Sequence, residues 1–313
     1  YAEFEGITMG LLPQWGSFVT ENNCFTEDKA YTYGLWLGNR YKDNPNIVWI
    51  NGGDVLPGSK KSVFDALADG LREGDAGAHL ITYHPISLFS SSMFFSNRIW
   101  LDFHMIQTWT DWHKTYEVVL ADTLKFPRKP VVLGEGAYEA GPEYPRGPIT
   151  PLIVRRQAWL TFMAGGFFTY GCNEIWRAED GWTAYLDREG AGQMKIFRDI
   201  AVRLKWWEFL PDPALIETGT DEGETKNAAM RSEDGQAAIV YLSCRCEVKL
   251  RLGRLETGDL KARWINPATG EERNAGDYKA FTIWEERNVR ESSFVYFKTP
   301  DRWEDAVLLL EGR

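Results

Sequence analysis

Several things are scarce in this chain of 313 residues. It has four cysteines and four histidines. The cysteines form no CxxC pair, and His79, His84, His104 and His113 form neither HxxxH nor HExxH. The spacing that builds a zinc site is therefore missing, and no metal is expected. Cys24 and Cys172 are isolated, while Cys244 and Cys246 fall in an alternating run. That pattern places both on one face of a strand, poorly placed to bridge each other. No GxGxxG turn supports a dinucleotide fold, so no cofactor is implied. No apolar stretch approaches the eighteen or so residues of a membrane span. Positive charge is outnumbered: 35 Lys and Arg against 45 Asp and Glu leave a net charge of −10, the wrong sign for a nucleic-acid partner. No signal peptide is visible, although the chain begins without Met and opens within an element.

Aromatic side chains are plentiful instead, with 14 Trp, 13 Tyr and 17 Phe. Flat rings in an acidic protein suit a cleft where sugars stack, and they suit an aromatic core equally. Two short runs say more: Asn46–Asp54 (NIVWINGGD) and Pro130–Glu135 (PVVLGE). Each is a stretch of β-branched and apolar residues that stops at glycine and then presents a carboxylate. Such runs read as parallel strands covered on both faces, and α/β proteins carry their chemistry at the carboxyl ends of such strands. Asp54 and Glu135 then stand where a barrel enzyme carries an acid and a nucleophile. The other reading makes them helix caps or surface carboxylates.

Strand and helix alternate along the first two thirds of the chain. The strands are Ile7–Leu12, the NIVWINGGD run, Leu80–Tyr83, Asp102–Thr108, PVVLGE and Gly166–Tyr170. The helices begin at Thr26 as N-cap, then Ser62–Glu73, Trp112–Leu124, Val154–Ala164 and Gly190–Leu210. From Asp54 to His84 is 30 residues, to Gln107 another 23, and to Glu135 another 28. An eight-unit barrel uses roughly 31 per unit, so the spacing favours a (β/α)8 barrel over a doubly wound sheet. After Pro213 the pattern changes to short strands separated by turns: Ala237–Cys246, Glu247–Leu252, Lys261–Ile265, Phe281–Ile283 and Val307–Leu310. This predicts an antiparallel β-sandwich. The expected domains are residues 1–212 and 213–313.

The strings WINGGD, YHP, DFHMIQT, VVLGEGAYE and TYGCNEIW, in this order, resemble the apiosidase-like glycoside hydrolases, glycoside hydrolase family 140 and its relatives. WINPATGE and DRWEDAVLLLEG resemble the collagen-binding-type β-sandwich that follows those barrels. The resemblance implies an α/β fold, a (β/α)8 TIM barrel with Asp54 as general acid/base after strand four and Glu135 as nucleophile after strand seven. It also makes Ile7–Leu12 strand three, so strands one and two are expected from the rest of a longer parent protein. Around the carboxylates, Trp15, His84, Gln107, Tyr138, Asn173 and Trp176 are the candidate sugar contacts from their places at or just past strand ends, and Glu139 and Glu174 are rival carboxylates, with no catalytic role for Glu174 in the family pattern. Asn51 or His84 would hold Glu135 ionised, and burial would raise the pKa of Asp54. The implied function is retaining hydrolysis of an oligo- or polysaccharide of plants or microbes, including apiose or another furanose side chain of pectin. The alternatives are a clan-related β-glycan hydrolase, which Gly53-Asp54 in place of Asn-Glu disfavours, and a barrel that binds carbohydrate without cleaving it. The family implies a secreted or periplasmic protein.

Overall fold

The computed structural model describes residues 1–141, 147–178, 180–284 and 289–312. The chain divides into two compact units, one made of Tyr1–Asp111 and Ala121–Gly136, the other of Trp112–Leu120 and the residues from Ala137 onward.

The first unit contains β1 (Met9–Leu11), α1 (Gly16–Thr20), α2 (Glu27–Tyr41), β2 (Ile47–Gly52), α3 (Lys61–Gly74), β3 (Leu80–His84), α4 (Ser92–Phe95), β4 (His104–Gln107) and β5 (Val131–Glu135). β1, β2 and β3 pair in parallel, with Met9 opposite Ile47 and Gly52 opposite His84. β4 and β5 form a second parallel pair that begins with His104 opposite Val131. The Thr82 hydroxyl donates to the Phe103 carbonyl at 2.8 Å, tying the approach to β4 to β3. The parallel strands of this unit therefore stand in two pieces, not in one continuous sheet.

Local signals explain the helices. Thr26 caps α2 by accepting from the Lys29 N–H, and Glu27 and Asp28 sit in its positive first turn. α3 turns Val63, Phe64, Leu67, Ala68 and Leu71 into the core, beside Trp49, Ile81 and Tyr83. α2 and α3 touch backbone to backbone through Gly34, Gly38, Gly70 and Gly74. A Cβ on Gly70 would lie 2.2 Å from the Tyr31 carbonyl oxygen, and one on Gly34 would lie 2.4 Å from that of Leu67. Only hydrogen fits at these positions. The two G-x-x-x-G spacings are the sequence signal for this contact.

The second unit carries β6 (Phe167–Phe168), β7 (Phe209–Pro211), β8 (Ile216–Thr218), β9 (Ala228–Ser232), β10 (Ala237–Leu242), β11 (Glu247–Arg251), β12 (Asp259–Ile265), β13 (Glu272–Lys279), β14 (Phe281–Trp284), β15 (Val289–Ser292), β16 (Phe294–Lys298) and β17 (Ala306–Gly312). An antiparallel sheet runs β13-β12-β17-β10-β9-β7, and a second runs β16-β11-β8. Leu308, Leu310, Val240 and Leu260 from the first sheet share one core with Val248, Leu250 and Phe297 from the second. Alternate residues of each strand thus meet between two layers, as a sandwich requires. Ahead of these sheets, helices Pro151–Met163 and Glu189–Arg203 pack together, with the Trp159 and Phe197 rings 5.0 Å apart.

Three expectations need correction. The helix expected over Gly190–Leu210 stops at Arg203, because Lys205 adopts a left-handed conformation (φ 53°) and Phe209–Pro211 is a strand. The helix expected over Trp112–Leu124 begins as part of a 3-10 segment, Trp109–Lys114, that is itself kinked at Asp111, and is α-helical only over Thr115–Thr123. Cys244 is in a bend outside any strand, because β10 ends at Leu242, so the alternation across Ala237–Cys246 does not continue to the cysteines.

Candidate active site

The WINGGD run makes a sharp turn at the end of β2. Gly52 and Gly53 have φ of +86° and +114°, and Asp54 itself has φ 51°, a conformation uncommon for a residue with a Cβ. Strained carbonyl-end turns of this kind cluster at functional sites. Asn51 anchors the turn. Its side chain donates to the Phe64 carbonyl at 2.8 Å and accepts from Gln14 Nε2 at 3.2 Å and from the Gly52 N–H at 3.0 Å. Asn51 is thus spent on backbone shape and does not serve Glu135.

Four polar side chains meet where the parallel strands end. Asp54 follows β2, His84 ends β3, Gln107 ends β4 and Glu135 ends β5. The His84 ring lies between the two carboxylates, with Nδ1 3.5 Å from Asp54 Oδ1 and Nε2 3.2 Å from Glu135 Oε2. Nδ1 also faces the Pro85 carbonyl at 3.1 Å, so a proton on that nitrogen has an acceptor that never titrates. Gln107 donates through Nε2 to Asp54 Oδ1 at 3.0 Å, while its Oε1 is buried with no partner. The amide N–H₂ of Gln107 holds Asp54, which leaves its carbonyl end open to a donor on a ligand, the sugar-contact role expected of it. A ligand atom from each of Asp54, His84 and Glu135 lies within 4.8 Å of the others.

The electrostatics of Asp54 follow from this crowding. Its carboxyl is raised above the ordinary carboxylate value, first by burial and then by the negative Glu135 beside it. His84 and the Gln107 hydrogen bond pull the other way without cancelling the shift. The expectation that burial raises Asp54 is met. Its side chain keeps 40% of its surface exposed, against 15% for Glu135. One carboxyl is thus reachable by a large substrate and inclined to keep its proton, and the other sits deeper.

Trp15 belongs to the same unit. Its ring covers Gly53, where an added Cβ would come within 2.8 Å of the indole, and the side chain is otherwise exposed. Tyr138, Asn173 and Trp176 belong to the second unit. There Tyr138 and Trp176 meet edge to face at 6.4 Å. Trp176 is exposed, and Asn173 is buried with its Oδ1 unpartnered. The rival carboxylates are occupied. Glu139 accepts from the Tyr170 hydroxyl at 2.6 Å and the Gly190 N–H at 3.0 Å, and Glu174 pairs with Arg188 and accepts from the Cys172 thiol at 3.3 Å. Histidine spacing in the sequence argued against a metal centre. The fold nevertheless brings Asp54, His84 and Glu135 into a set with the separation of cation ligands, which no linear motif records.

Residues 1–208 match the family model of the apiosidase-like catalytic domain, and residues 210–311 match that of the "Putative collagen-binding domain of a collagenase". Among solved structures, a glycoside hydrolase family 5 protein from Bacteroides vulgatus ATCC 8482 is 27% identical with a TM-score of 0.87, over 99% of this chain and 72% of that one. Another, described as a glycoside hydrolase, is 25% identical with a TM-score of 0.87, over 99% and 74%. A family 27 β-L-arabinopyranosidase from Geobacillus stearothermophilus shares 12% identity and a TM-score of 0.51, over 91% and 63%, a likeness of fold alone. No curated protein matches the chain.

Proposed function

The chain belongs to the apiosidase-like catalytic-domain family and is a glycosidase, and on that premise we propose that it cleaves by a retaining mechanism with Asp54 and Glu135. The observation that carries this reading is the closeness of the two carboxyl groups at the carboxyl ends of β2 and β5, with oxygens within 4.8 Å. Retaining glycosidases hold their carboxyl groups about 5–5.5 Å apart, whereas inverting ones need about 6.5–9.5 Å to admit a water.

Glu135 attacks the anomeric carbon while Asp54, protonated, delivers its proton to the departing glycosidic oxygen. The bond to the leaving group breaks as the glycosyl–Glu135 ester forms. Asp54, now a carboxylate, takes a proton from water, which attacks the ester and frees Glu135. The raised pKa of Asp54 supports its role as the proton donor of the pair. Gln107 holds the donor oxygen in place, and His84 spans the pair so that charge passing from one carboxyl to the other remains next to an imidazole.

The parallel strands are read as part of a (β/α)8 barrel. Trp15 gives an exposed ring for a sugar face, and Tyr138, Asn173 and Trp176 are the proposed sugar contacts of the second unit. The substrate is an oligo- or polysaccharide of plant or microbial origin, with apiose or another furanose side chain of pectin as the first candidate from the family. Polymers of that size are met outside the cell, so the protein acts as a secreted or periplasmic enzyme.

The test is hydrolysis of a panel of pectic and hemicellulosic oligosaccharides, with the anomeric form of the first product followed by NMR. Retention, with activity lost in both Asp54→Ala and Glu135→Ala, is the expected result. Inversion, or activity untouched by either substitution, overturns the assignment. A second reading, metal-assisted hydrolysis, is favoured by the ligand spacing of Asp54, His84 and Glu135. A cation there would hold both carboxyls ionised and remove the proton donor. Activity should therefore be unchanged by EDTA, and loss restored by a divalent metal would decide for the cation.

A further inference from the structure

The two sheets of the sandwich differ in what meets their outer faces. On the first sheet, Tyr241 of β10 stacks on Trp159 of helix Pro151–Met163 with ring centroids 5.7 Å apart, and Arg156 of that helix donates to the Ser243 carbonyl at 2.8 Å. The second sheet, β16-β11-β8, turns Val248, Leu250 and Phe297 into the core, so the residues between them point outward. Across the strands these outward residues pair as Phe294 with Arg251, Tyr296 with Lys249 and Lys298 with Glu247. Phe294 keeps 44% of its surface exposed and Tyr296 59%. Rings and cations interleave here. Lys249 Nζ lies over both rings, 4.9 Å from the Phe294 centroid and 5.7 Å from that of Tyr296, and the Arg251 guanidinium lies 5.7 Å from Phe294. Arg251 is also paired with Glu217 of β8, whereas among the described residues Lys249 and Lys298 form no ion pair with a carboxylate.

We propose that this outer face docks an anionic polysaccharide, a polyuronate chain, through none of the residues assigned to cleavage. The proposal rests on the glycosidase reading only for the class of polymer. Exposed aromatic side chains gathered in one patch mark a binding surface, and a flat ring receives the C–H face of a pyranose. Phe294 and Tyr296 stand two residues apart on one strand, about 7 Å, so one continuous chain covers both with Lys249 between them. Charge selects the polymer. At the Lys298 end the face meets a cleft of about 470 Å³ whose lining includes Arg245, Glu247, Asp301 and Arg302. Over face and cleft, among the described residues, Lys249, Arg251, Lys298, Arg245 and Arg302 stand against Glu217, Glu247 and Asp301. A positive excess on a chain of net charge −10 is the complement of a row of sugar carboxylates. A polymer held there has a higher effective concentration at the rest of the enzyme than one in free solution.

The test is affinity electrophoresis of the full chain in native gels containing polygalacturonate, neutral galactan or no polymer, beside a pull-down on immobilised collagen. Polygalacturonate should retard the chain, and less so as NaCl is raised; galactan and collagen should not hold it. Tyr296→Ala should weaken the retardation about two- to tenfold, the worth of one stacked ring. Lys249→Glu sets a like charge against the polymer and should weaken it further. Both substitutions are on the solvent side of the sheet, and circular dichroism should show an unchanged fold. Glu135→Ala should be retarded as the unsubstituted chain is, so docking is read without turnover and independently of the carboxylate assignment. Retardation lost in Glu135→Ala but kept in Tyr296→Ala and Lys249→Glu would place the polymer at the carboxylates and overturn the proposal. Equal retardation by galactan, capture by collagen in place of polygalacturonate, or no retardation by polygalacturonate would overturn it as well.

Discussion

At the strand ends of the first unit, Asp54 and Glu135 share one imidazole, and Asp54 retains 40% of its side-chain surface. In the second unit, Arg155 and Asp305 form the opposite arrangement. Both are 1% exposed, and their bond is bidentate, with Nε to Oδ2 at 2.9 Å and Nη2 to Oδ1 at 2.7 Å. Gln193 Oε1 accepts from Arg155 Nη1 at 2.6 Å, and the Tyr241 hydroxyl donates to Asp305 Oδ2 at 2.8 Å. The same kinds of charged group are used for different ends. Where each charged group is buried with fixed partners, the cluster joins helix Pro151–Met163 to the residue before β17. Where carboxyls crowd each other near solvent, the strain is kept as a raised pKa that chemistry can use.

The sharpest way to break this comparison is to remove one member of each cluster. Glu135→Gln should lower kcat/KM by at least about 10²–10⁴-fold while the urea midpoint hardly moves. Equal losses of activity and stability would erase the distinction. Asp305→Ala leaves the Arg155 guanidinium buried and unpaired, and denaturant unfolding should show a loss of about 3–5 kcal/mol. Activity per folded molecule should persist. The scaffold around the site falls between the two: Gly70→Ala forces a methyl against the Tyr31 carbonyl and should cost about 1–3 kcal/mol in the same unfolding assay. The smallest change sharpens the comparison most. Gln107→Met removes a donor that favours the Asp54 carboxylate, so the proton is held to higher pH. The alkaline limb of the kcat/KM profile should therefore move upward in pH. The rate should fall by no more than about tenfold, the worth of one hydrogen bond. A downward move would mean that the limb belongs to another group.

How far the chain could be read in advance varies by element. Buried parallel strands announce themselves as apolar runs stopped by glycine, and β2 and β5 lie inside the two runs singled out for that reason. Strands on exposed edges do not. β13, Glu272–Lys279, has no buried residue and contains Gly276 at φ 113°, so neither alternation nor hydrophobicity marks it. Trp206, Trp207 and Phe209 continue the apolar pattern of helix Glu189–Arg203 after the backbone has turned at Lys205, so the pattern alone overstates its length. Side-chain roles were harder still. Asn51 and Gln107 are both amides at strand ends, yet one locks a turn and the other holds a carboxylate. Nothing in their sequence neighbourhoods separates those duties.

By itself the sequence determined which segments are strands buried on both faces, where α2 and α3 run, and which carboxylates end β2 and β5. Those properties depend on local periodicity, capping and glycine, which act over a few neighbouring residues. Tertiary structure alone decided that His84 lies between Asp54 and Glu135 and that Glu139 and Glu174 are committed elsewhere. Each of those facts depends on distances between residues far apart in the chain or on the path of a turn. Burial and charge act through space, so a carboxyl's pKa is set by neighbours that the linear order does not name.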